Sequence, residues 1–307
     1  DPSNNSAHPQ SLCRKMSKNY VMFDTMRTIS KMTTNNQVTV TEGTNNIEET
    51  ILDILSNRKE STKYSSKMEE RKTLNTLNKD EPGIKYRLKG SIDTSARKAF
   101  ILLQSCLSGV IIDHWELRRQ RNEIATCSMR ILNCLKEYYK HLNNSKGYIA
   151  CIILKKSLQN EMWGDSELIM KQLPKIGDKL ARCFIRAGIN SFDRLIAENP
   201  RKLESSCNKN SPFGNILIDI AKSIPVIQIS YDIQKTYSTY KIVINVRVPW
   251  EKFVQDDFDS YSCYHIVAIE SKGDDIKEKG IKFKKKIRPS SSDRTLQFSI
   301  PLYHIFQ

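Results

Sequence analysis

The spacing of apolar residues changes once along this chain, and that change constrains the fold more than any other feature. Up to about residue 223, apolar side chains recur every three or four positions, which predicts amphipathic helices. Beyond it they recur at every second position, which is typical of half-buried strands. We therefore predict a multidomain α-then-β chain, in which a helical bundle precedes an antiparallel immunoglobulin-like β-sandwich. The alternating stretches are 227–233, 240–248, 265–269, 281–287 and 296–302.

A proline-to-glycine turn divides the helical part near its end. The residues from Met170 to Ile189 predict a short helix, a turn at 173–177 that reads Leu-Pro-Lys-Ile-Gly, and a second helix that begins at Asp178. Gly188 follows this second helix at the position where a left-handed cap is preferred. The pattern is that of a helix-hairpin-helix.

The turn also carries groups that suit a phosphate. We expect Gly177 to let the backbone turn tightly, so that unpaired N–H groups and the positive end of the second helix's dipole point outward together. Such a surface binds anions. The predicted nucleic-acid contacts here are Lys175, Ile176, Gly177, Lys179 and Arg182. Two helices joined by a glycine turn also pack together in proteins that never meet nucleic acid, so a packing unit is the alternative.

The longest predicted helix covers about residues 115–143. Its apolar face, predicted to be buried, holds Ile124, Ile131, Leu135, Tyr138 and Leu142. Its polar face holds Arg119, Asn122, Thr126, Asn133 and Lys140, with Arg118, Arg121 and Arg130 at the sides. A polar face usually means only that water lies there. The functional alternative is a helix that lines a channel for a single nucleic-acid strand, with contacts from Arg118, Arg119, Asn122 and Arg130.

The charge of the chain favours a polyanionic partner. The net charge is +15, and residues 224–307 hold 13 lysines and arginines against 10 aspartates and glutamates. Most of the basic excess therefore belongs to the helical part, as expected for a surface that faces nucleic acid. A solvated lysine-rich surface is the alternative.

Several other kinds of site are not indicated. No Gly-Lys dipeptide occurs, so the chain lacks a phosphate-cradling P-loop. The eight cysteines form no C-x-x-C pair and the five histidines are scattered, so we predict no catalytic residue, metal site or disulfide framework. No apolar run approaches the length of a membrane span, and the first residues lack a signal-peptide core. We predict a soluble intracellular chain in a reducing compartment.

The order of these parts, taken with particular motifs, resembles a known family. A winged-helix end at 12–26, a helical bundle, the helix-hairpin-helix and the β part together look like the C-terminal accessory half of Ski-like superfamily two DNA helicases. The stretch at 70–79, Glu-Arg-Lys-Thr-Leu-Asn-Thr-Leu-Asn-Lys, is similar to a signature of the meiotic crossover helicases. The stretches at 172–177 and 210–214 are similar to further signatures of that group.

The resemblance implies a domain order and a role. It implies the non-motor, DNA-binding and partner-binding region of an ATP-dependent three-prime to five-prime DNA helicase that acts in meiotic recombination and crossover formation, in the nucleus. ATP and Mg would bind motor domains that this chain lacks, so we expect the chain alone to bind no cofactor and to unwind nothing. The implied parts are a disordered leader (1–11), the end of a winged-helix domain (12–35), a helical bundle (36–165) with a ratchet helix at about 115–143, a helix-hairpin-helix (166–223) and an immunoglobulin-like sandwich (224–307).

Two other readings of the same residues stay open. In one, the chain is a protein-interaction scaffold whose sandwich binds a MutL-type mismatch-repair heterodimer. Trp250, Phe253 and Phe258 would then be aromatic anchors, although each also suits a core position. In the other, the chain is an accessory cassette of an RNA helicase, because these residues do not distinguish single-stranded or branched DNA from RNA.

Overall fold

The structure is a computed structural model that describes residues 14, 16–39, 46–142, 144–223, 228–236, 239–248, 264–269, 281–287 and 294–302. Its contacts divide the chain into two compact units at the junction of Ser166 and Glu167. The described part is mostly helical. Its helices are α1 (Phe23–Thr39), α2 (Ile47–Ser56), α3 (Met68–Asp80), α4 (Ser95–Leu107), α5 (Trp115–His141), α6 (Ser145–Gln159), α7 (Asp178–Arg186), α8 (Phe192–Ala197), α9 (Pro200–Ser206) and α10 (Phe213–Ser223), with short 3-10 helices at Lys59–Ser61 and Ile169–Gln172.

Helix α4 is the centre of the first unit. Thr94 starts it by accepting a hydrogen bond from the Arg97 N–H, and every residue from Lys98 to Leu107 is buried. A helix that is buried on all sides needs neighbours on all sides. Helices α2, α3 and α5 all contact it.

Helix α5 packs against α4 with one face and against α6 with another. Ile124, Ile131, Leu135 and Tyr138 are buried, as its apolar stripe predicts, whereas Leu142 is half-buried. Gly147 permits the close approach of α6, because a Cβ at that position would lie 2.6 Å from the Tyr139 ring. The helical bundle that the apolar spacing predicts is therefore present.

The segment at 84–92 forms neither a helix nor a strand, and amide side chains hold its backbone. The Gln104 side chain accepts from the Tyr86 N–H (2.8 Å) and donates to the Tyr86 carbonyl (2.9 Å). The Asn78 side chain makes the same pair of bonds to Leu88, at 2.9 and 2.8 Å. Each amide thus replaces the partner strand that this segment lacks, so its backbone groups do not go unpaired.

A second core forms in the helices after residue 167. It packs the apolar side chains of the turn against those of the four helices that follow. Its buried members are Met170, Leu173, Ile176, Ala181, Phe184, Ile189, Leu195, Leu203, Cys207, Leu217, Ile218 and Ala221.

Each alternating stretch near the end of the chain forms a strand: β1 (Gln228–Thr236), β2 (Thr239–Val248), β3 (Tyr264–Ile269), β4 (Ile281–Ile287) and β5 (Arg294–Leu302). Antiparallel pairing gives a sheet in the order β1-β2-β5 and a separate β3-β4 pair. The register places Tyr231, Ile244 and Phe298 side by side on one face of the sheet. Packing of the two sheets as an immunoglobulin-like sandwich stays a prediction.

One strand differs from the expectation of a half-buried face. Ile229 and Tyr231 are 63% and 69% exposed, although both lie on the apolar face of the sheet. Strand β1 is at the edge of this sheet and pairs only with β2 among the described strands. An edge strand has a neighbour on one side only, so alternation alone did not ensure burial.

Candidate nucleic-acid interface

The turn before α7 obtains its shape differently from the prediction. The element that precedes it is a four-residue 3-10 helix, Ile169–Gln172, rather than an α-helix. The left-handed conformation falls on Lys175, with φ of 65°, while Gly177 is extended, with φ of −92° and ψ of 179°. The prediction that Gly177 supplies the tight turn was therefore wrong, because the backbone reverses two residues earlier.

Gly177 instead leaves the start of α7 open. It is exposed, and no atom lies within 4 Å of the place where a Cβ would be. No side chain caps the helix, and the first backbone bond runs from the Ala181 N–H to the Gly177 carbonyl at 3.0 Å. The N–H groups of Asp178 and Lys179 consequently find no acceptor among the described residues and face outward with the positive end of the helix dipole.

One acidic side chain lies at this helix start, and a lysine neutralises it. Asp178 Oδ1 is 2.7 Å from Lys171 Nζ, and both side chains are largely shielded from solvent. Because Lys171 compensates this carboxylate, Asp178 repels an approaching anion less than a free aspartate would.

Exposed cations surround the open helix start. Lys175, Lys179 and Arg182 are exposed, and none of them forms an ion pair with a described acid. Arg186 is also exposed and lies four residues after Arg182, on the same side of α7. The sequence prediction missed Arg186, although its helical spacing from Lys179 and Arg182 indicates that it lies on the same side of α7.

Ile176 is among the predicted contacts, but its apolar side chain was also predicted to lie on the buried side of the hairpin, and it does. Ile176 is buried in the second core, and its N–H donates to the Leu173 carbonyl at 3.3 Å. Its alternation with the exposed Lys175 and Gly177 explains the burial, since neighbouring residues of the turn point to opposite sides. Ile176 therefore anchors the turn.

The other end of α7 is closed as predicted. Gly188 has φ of 77°, its N–H donates to the Ile185 carbonyl, and the Ile189 N–H donates to the Phe184 carbonyl at 2.8 Å. These two bonds satisfy the last carbonyls of the helix in the Schellman arrangement. Ile189 is buried beside Phe184, so the helix is held at its closed end while its start faces solvent.

Helix α10 of the same unit differs from α7, because a carboxylate occupies its N-terminal end. The Gly214 N–H, in the first turn of α10, donates to Glu204 Oε1 at 3.0 Å. Glu204 is buried and also pairs with Arg201 at 2.7 Å, which lowers the pKa of its carboxyl group. A carboxylate already occupies the place where an anion would bind, so α10 is unsuited to phosphate.

In the first unit, the polar face of α5 is a continuous stripe. Asn122, Thr126 and Arg130 are exposed and follow one another at four-residue steps, and Asn133 is the next position on the same side. Arg130 forms no ion pair with a described acid. This stripe, defined by these four residues, leaves Arg130 as its uncompensated cation.

The two arginines at the start of α5 are more constrained than the prediction assumed. Arg118 is exposed, but its guanidinium donates to the carbonyls of Ile112 (3.0 Å) and Asp113 (3.3 Å). Arg119 pairs with Glu116 at 2.7 Å and also with Glu123. Hydrogen bonds from Arg119 lower the pKa of the Glu116 carboxyl group to about 2. Arg119 is thus a compensated cation and a poorer phosphate ligand than its position suggested.

An exposed aromatic residue near these arginines escaped the sequence prediction. Trp115, the first residue of α5, is 70% exposed, and Ile111 before it is 79% exposed. The pattern gave no sign of this, because an apolar residue at a helix start is normally read as core. Exposed aromatic rings combined with cations are typical of surfaces that bind single strands.

Trp250, Phe253 and Phe258 lie outside the described residues. Across the described part of the chain, no group of histidine, cysteine and acidic side chains is arranged to hold a metal ion. No helix there combines the length and the apolar character of a membrane span.

Comparison with known proteins identifies relatives of this chain. It is 32% identical over 229 residues to the ATP-dependent DNA helicase MER3 homolog of Oryza sativa subsp. japonica. The aligned region covers 71% of this chain and 18% of the relative. It is 29% identical over 258 residues to the probable ATP-dependent DNA helicase HFM1 of Xenopus tropicalis, and this alignment covers 82% of this chain and 19% of that protein. The corresponding human protein is 28% identical over 254 residues. The chain spans about a fifth of the length of these relatives.

A family model describes nearly the whole chain. The Sec63 Brl domain model matches residues 9–305. Together with the helicase relatives, this match confirms the resemblance to the accessory region of Ski-like superfamily two helicases. The chain therefore belongs to the Sec63 Brl domain family.

Proposed function

We propose that this chain is a nucleic-acid-binding accessory region of an ATP-dependent DNA helicase, with the turn at 173–177 and α7 acting as a helix-hairpin-helix that grips the sugar-phosphate backbone. The open start of α7 carries this proposal. Uncapped N–H groups and three exposed, uncompensated cations are what a phosphate group requires. The names of the relatives, which are DNA helicases, favour DNA over RNA.

The polar stripe of α5 supplies a second group of contacts in this proposal. Arg130 would bind phosphates, while Asn122 and Thr126 would meet bases or sugars. Arg118 remains available through its exposed edge, whereas Arg119 is engaged by two acids. A role of the whole protein in meiotic crossover formation, and a nuclear location, belong to the same proposal and rest on the resemblance to the meiotic crossover helicases.

Salt-dependent binding tests the nucleic-acid interface. Fluorescence anisotropy with single-stranded DNA, branched DNA and RNA of matched length would be measured between about 50 and 200 mM salt. If about five phosphates are neutralised, the slope of log affinity against log salt is near −4. Reversal of Lys175, Lys179 and Arg182 to Glu should weaken binding at least tenfold and make the slope shallower.

A control variant with three other charges reversed separates the effect of contacts at α7 from the effect of net charge. Lys202→Glu, Lys209→Glu and Lys222→Glu change the net charge equally within the same unit, and all three side chains are exposed. We expect this control to keep the salt slope of the unaltered chain. Equal losses in both triple variants would show that only net charge matters, and the site at α7 would be rejected.

A partner-binding role of the β part is the second candidate. The exposed Ile229 and Tyr231 on the apolar face of the sheet favour it, because uncovered apolar surface commonly marks a protein contact. A MutL-type heterodimer is the partner that the resemblance implies. Pull-down of purified heterodimer by the unaltered chain, and its loss with Ile229→Asp and Tyr231→Asp, would support this role; undiminished capture by that variant would oppose it.

A further inference from the structure

An aromatic residue before α1 is held in an unusual backbone conformation. Tyr20 has φ of 53° and ends a short helical turn at 16–18. The Val21 N–H donates to the Met16 carbonyl at 3.0 Å, and the Tyr20 N–H donates to Ser17 at 3.1 Å. These bonds define the left-handed cap position that glycine normally occupies, because a Cβ there costs free energy. Non-glycine residues held in such strained backbone conformations cluster at functional sites.

The side chain at this position faces solvent. Tyr20 is 82% exposed, and Met22 and Phe23 beside it are 52% and 70% exposed. The intervening Val21 is buried, as is Met26 in α1. The segment is therefore anchored by alternate residues, and its exposed aromatic groups are not part of a loose end.

Hydrogen bonds place this segment beside the polar stripe of α5. Asn133, the last residue of the stripe, donates from Nδ2 to Asn19 Oδ1 at 3.2 Å. Its own Oδ1 accepts from Lys155 Nζ at 3.0 Å. Further along α5, the Tyr138 hydroxyl and Ser30 of α1 are 3.2 Å apart. The residue next to Tyr20 in the chain thus touches the end of the stripe, with an ammonium group close by.

We propose that Tyr20 and Phe23 form a stacking platform for unpaired bases of a single nucleic-acid strand that follows the polar stripe of α5; this inference rests on the proposed function. Single-strand sites combine exposed aromatic rings, on which bases of any sequence stack, with cations that meet the phosphates. Here Arg130 and Lys155 supply the cations. The stripe itself offers polar groups but no ring, so Tyr20 provides the group that the stripe lacks.

The geometry also predicts the size of the strand. Asn122 and Asn133 are eleven residues apart, which is about 17 Å along a helix. One strand of duplex DNA advances roughly 3.4 Å per nucleotide, so a strand that keeps this stacked spacing reaches from one end of the stripe to the other with about five nucleotides. Oligonucleotides shorter than this should lose the contribution of the rings.

Substitution of Tyr20 by glycine tests base stacking without destabilising the fold. Tyr20→Gly removes the ring but relieves the left-handed conformation, so this variant should be at least as stable as the unaltered chain. We expect Tyr20→Gly, alone or combined with Phe23→Ala, to weaken binding to a single-stranded oligonucleotide about fivefold or more. The salt slope should not change, because no cation is removed. Fluorescence of a 2-aminopurine base in the oligonucleotide should be quenched by the unaltered chain and by Tyr20→Phe, and less by Tyr20→Gly. Met68→Ala, which truncates an apolar side chain that is 83% exposed at the start of α3, is the matched control and should change neither readout.

The outcomes distinguish this inference from the proposed function. If Tyr20→Gly with Phe23→Ala binds and quenches like the unaltered chain while reversal of the α7 cations weakens binding, the platform is rejected and the interface at α7 stands. If neither variant changes binding, both proposals fail. A third outcome concerns self-association. Sedimentation could show that the unaltered chain is a dimer and that the Tyr20 and Phe23 variants are monomers with unchanged quenching. These rings would then contact a second copy of the chain, and the platform is likewise rejected.

Discussion

Glu70 and Lys98 form an ion pair inside the first unit, with 2.5 Å between Oε2 and Nζ and both side chains inaccessible to solvent. Lys98 also donates to the Ser65 carbonyl at 3.1 Å, and Glu70 accepts from the Lys67 N–H at 3.1 Å. Glu70 opens the stretch at 70–79 on which the family resemblance depended. That stretch also contains Asn78, which holds the backbone of Leu88 in the segment at 84–92. The distinctive motif is therefore part of the scaffold.

Loss of either partner of this pair should destabilise the first unit strongly. Lys98→Ala leaves a buried carboxylate without its cation, so we expect the free energy of unfolding to fall by about 3–5 kcal/mol. Urea denaturation followed by circular dichroism measures it. Lys59→Ala breaks the exposed pair with Asp24 and serves as the control, with a much smaller loss because solvent screens that pair. Similar losses in both variants would contradict the buried-pair argument.

Two glycines should respond to a methyl group in different ways, one mainly in stability and the other mainly in DNA binding. At Gly214 a Cβ would lie 2.2 Å from the Pro200 carbonyl oxygen, so Gly214→Ala must displace backbone and should cost about 1–3 kcal/mol of stability. At Gly177 nothing lies within 4 Å, so Gly177→Ala should fold with a loss of about 1 kcal/mol or less. The methyl group would instead shield the open N–H groups of α7 and weaken DNA binding several-fold. Thermal unfolding and anisotropy on the same samples separate the two effects; normal DNA binding by Gly177→Ala would argue against contact at these amides.

Lys175 combines a strained backbone with a predicted binding role. Lys175→Gly relieves the left-handed conformation and should raise stability by about 1 kcal/mol, while it removes one cation and reduces the salt slope by about 0.7–0.9. Lys175→Ala removes the same charge without relieving the backbone. We expect equal DNA binding by the two variants but different urea midpoints. A Lys175→Gly chain that binds like the unaltered chain would remove Lys175 from the interface.

Acid should weaken the start of α5 through Glu116. Hydrogen bonds from Arg119 and Gln120 hold the pKa of its carboxyl group at about 2, below its ordinary value of 4.5. A depressed pKa stabilises the fold above the ordinary value, and that contribution disappears as the pH falls from about 4.5 to about 2. The stability difference between the unaltered chain and Glu116→Gln, measured by urea denaturation across this range, should shrink towards low pH. A difference that stays constant would contradict the pairing.

The periodic elements of the fold were predictable because each depends on local spacing. The apolar stripe of α5, the cap at Gly188 and the five strands all follow from side-chain periods or from the backbone freedom of one residue. The exposed cations of α7 were predictable for the same reason, since Lys179 and Arg182 lie opposite Ala181 and Phe184 on a helix whose apolar side was evident.

The amino-acid sequence by itself determined the order of helices and strands, the apolar face of each and the position of the basic turn, since all of these depend on residues within a few positions of one another. Only the tertiary structure decided which groups are free to bind. Glu204 blocks the start of α10, and Asn19 brings Tyr20 to the end of the α5 stripe. These two contacts join residues 10 and 114 positions apart, and they form because the packed cores bring those residues together.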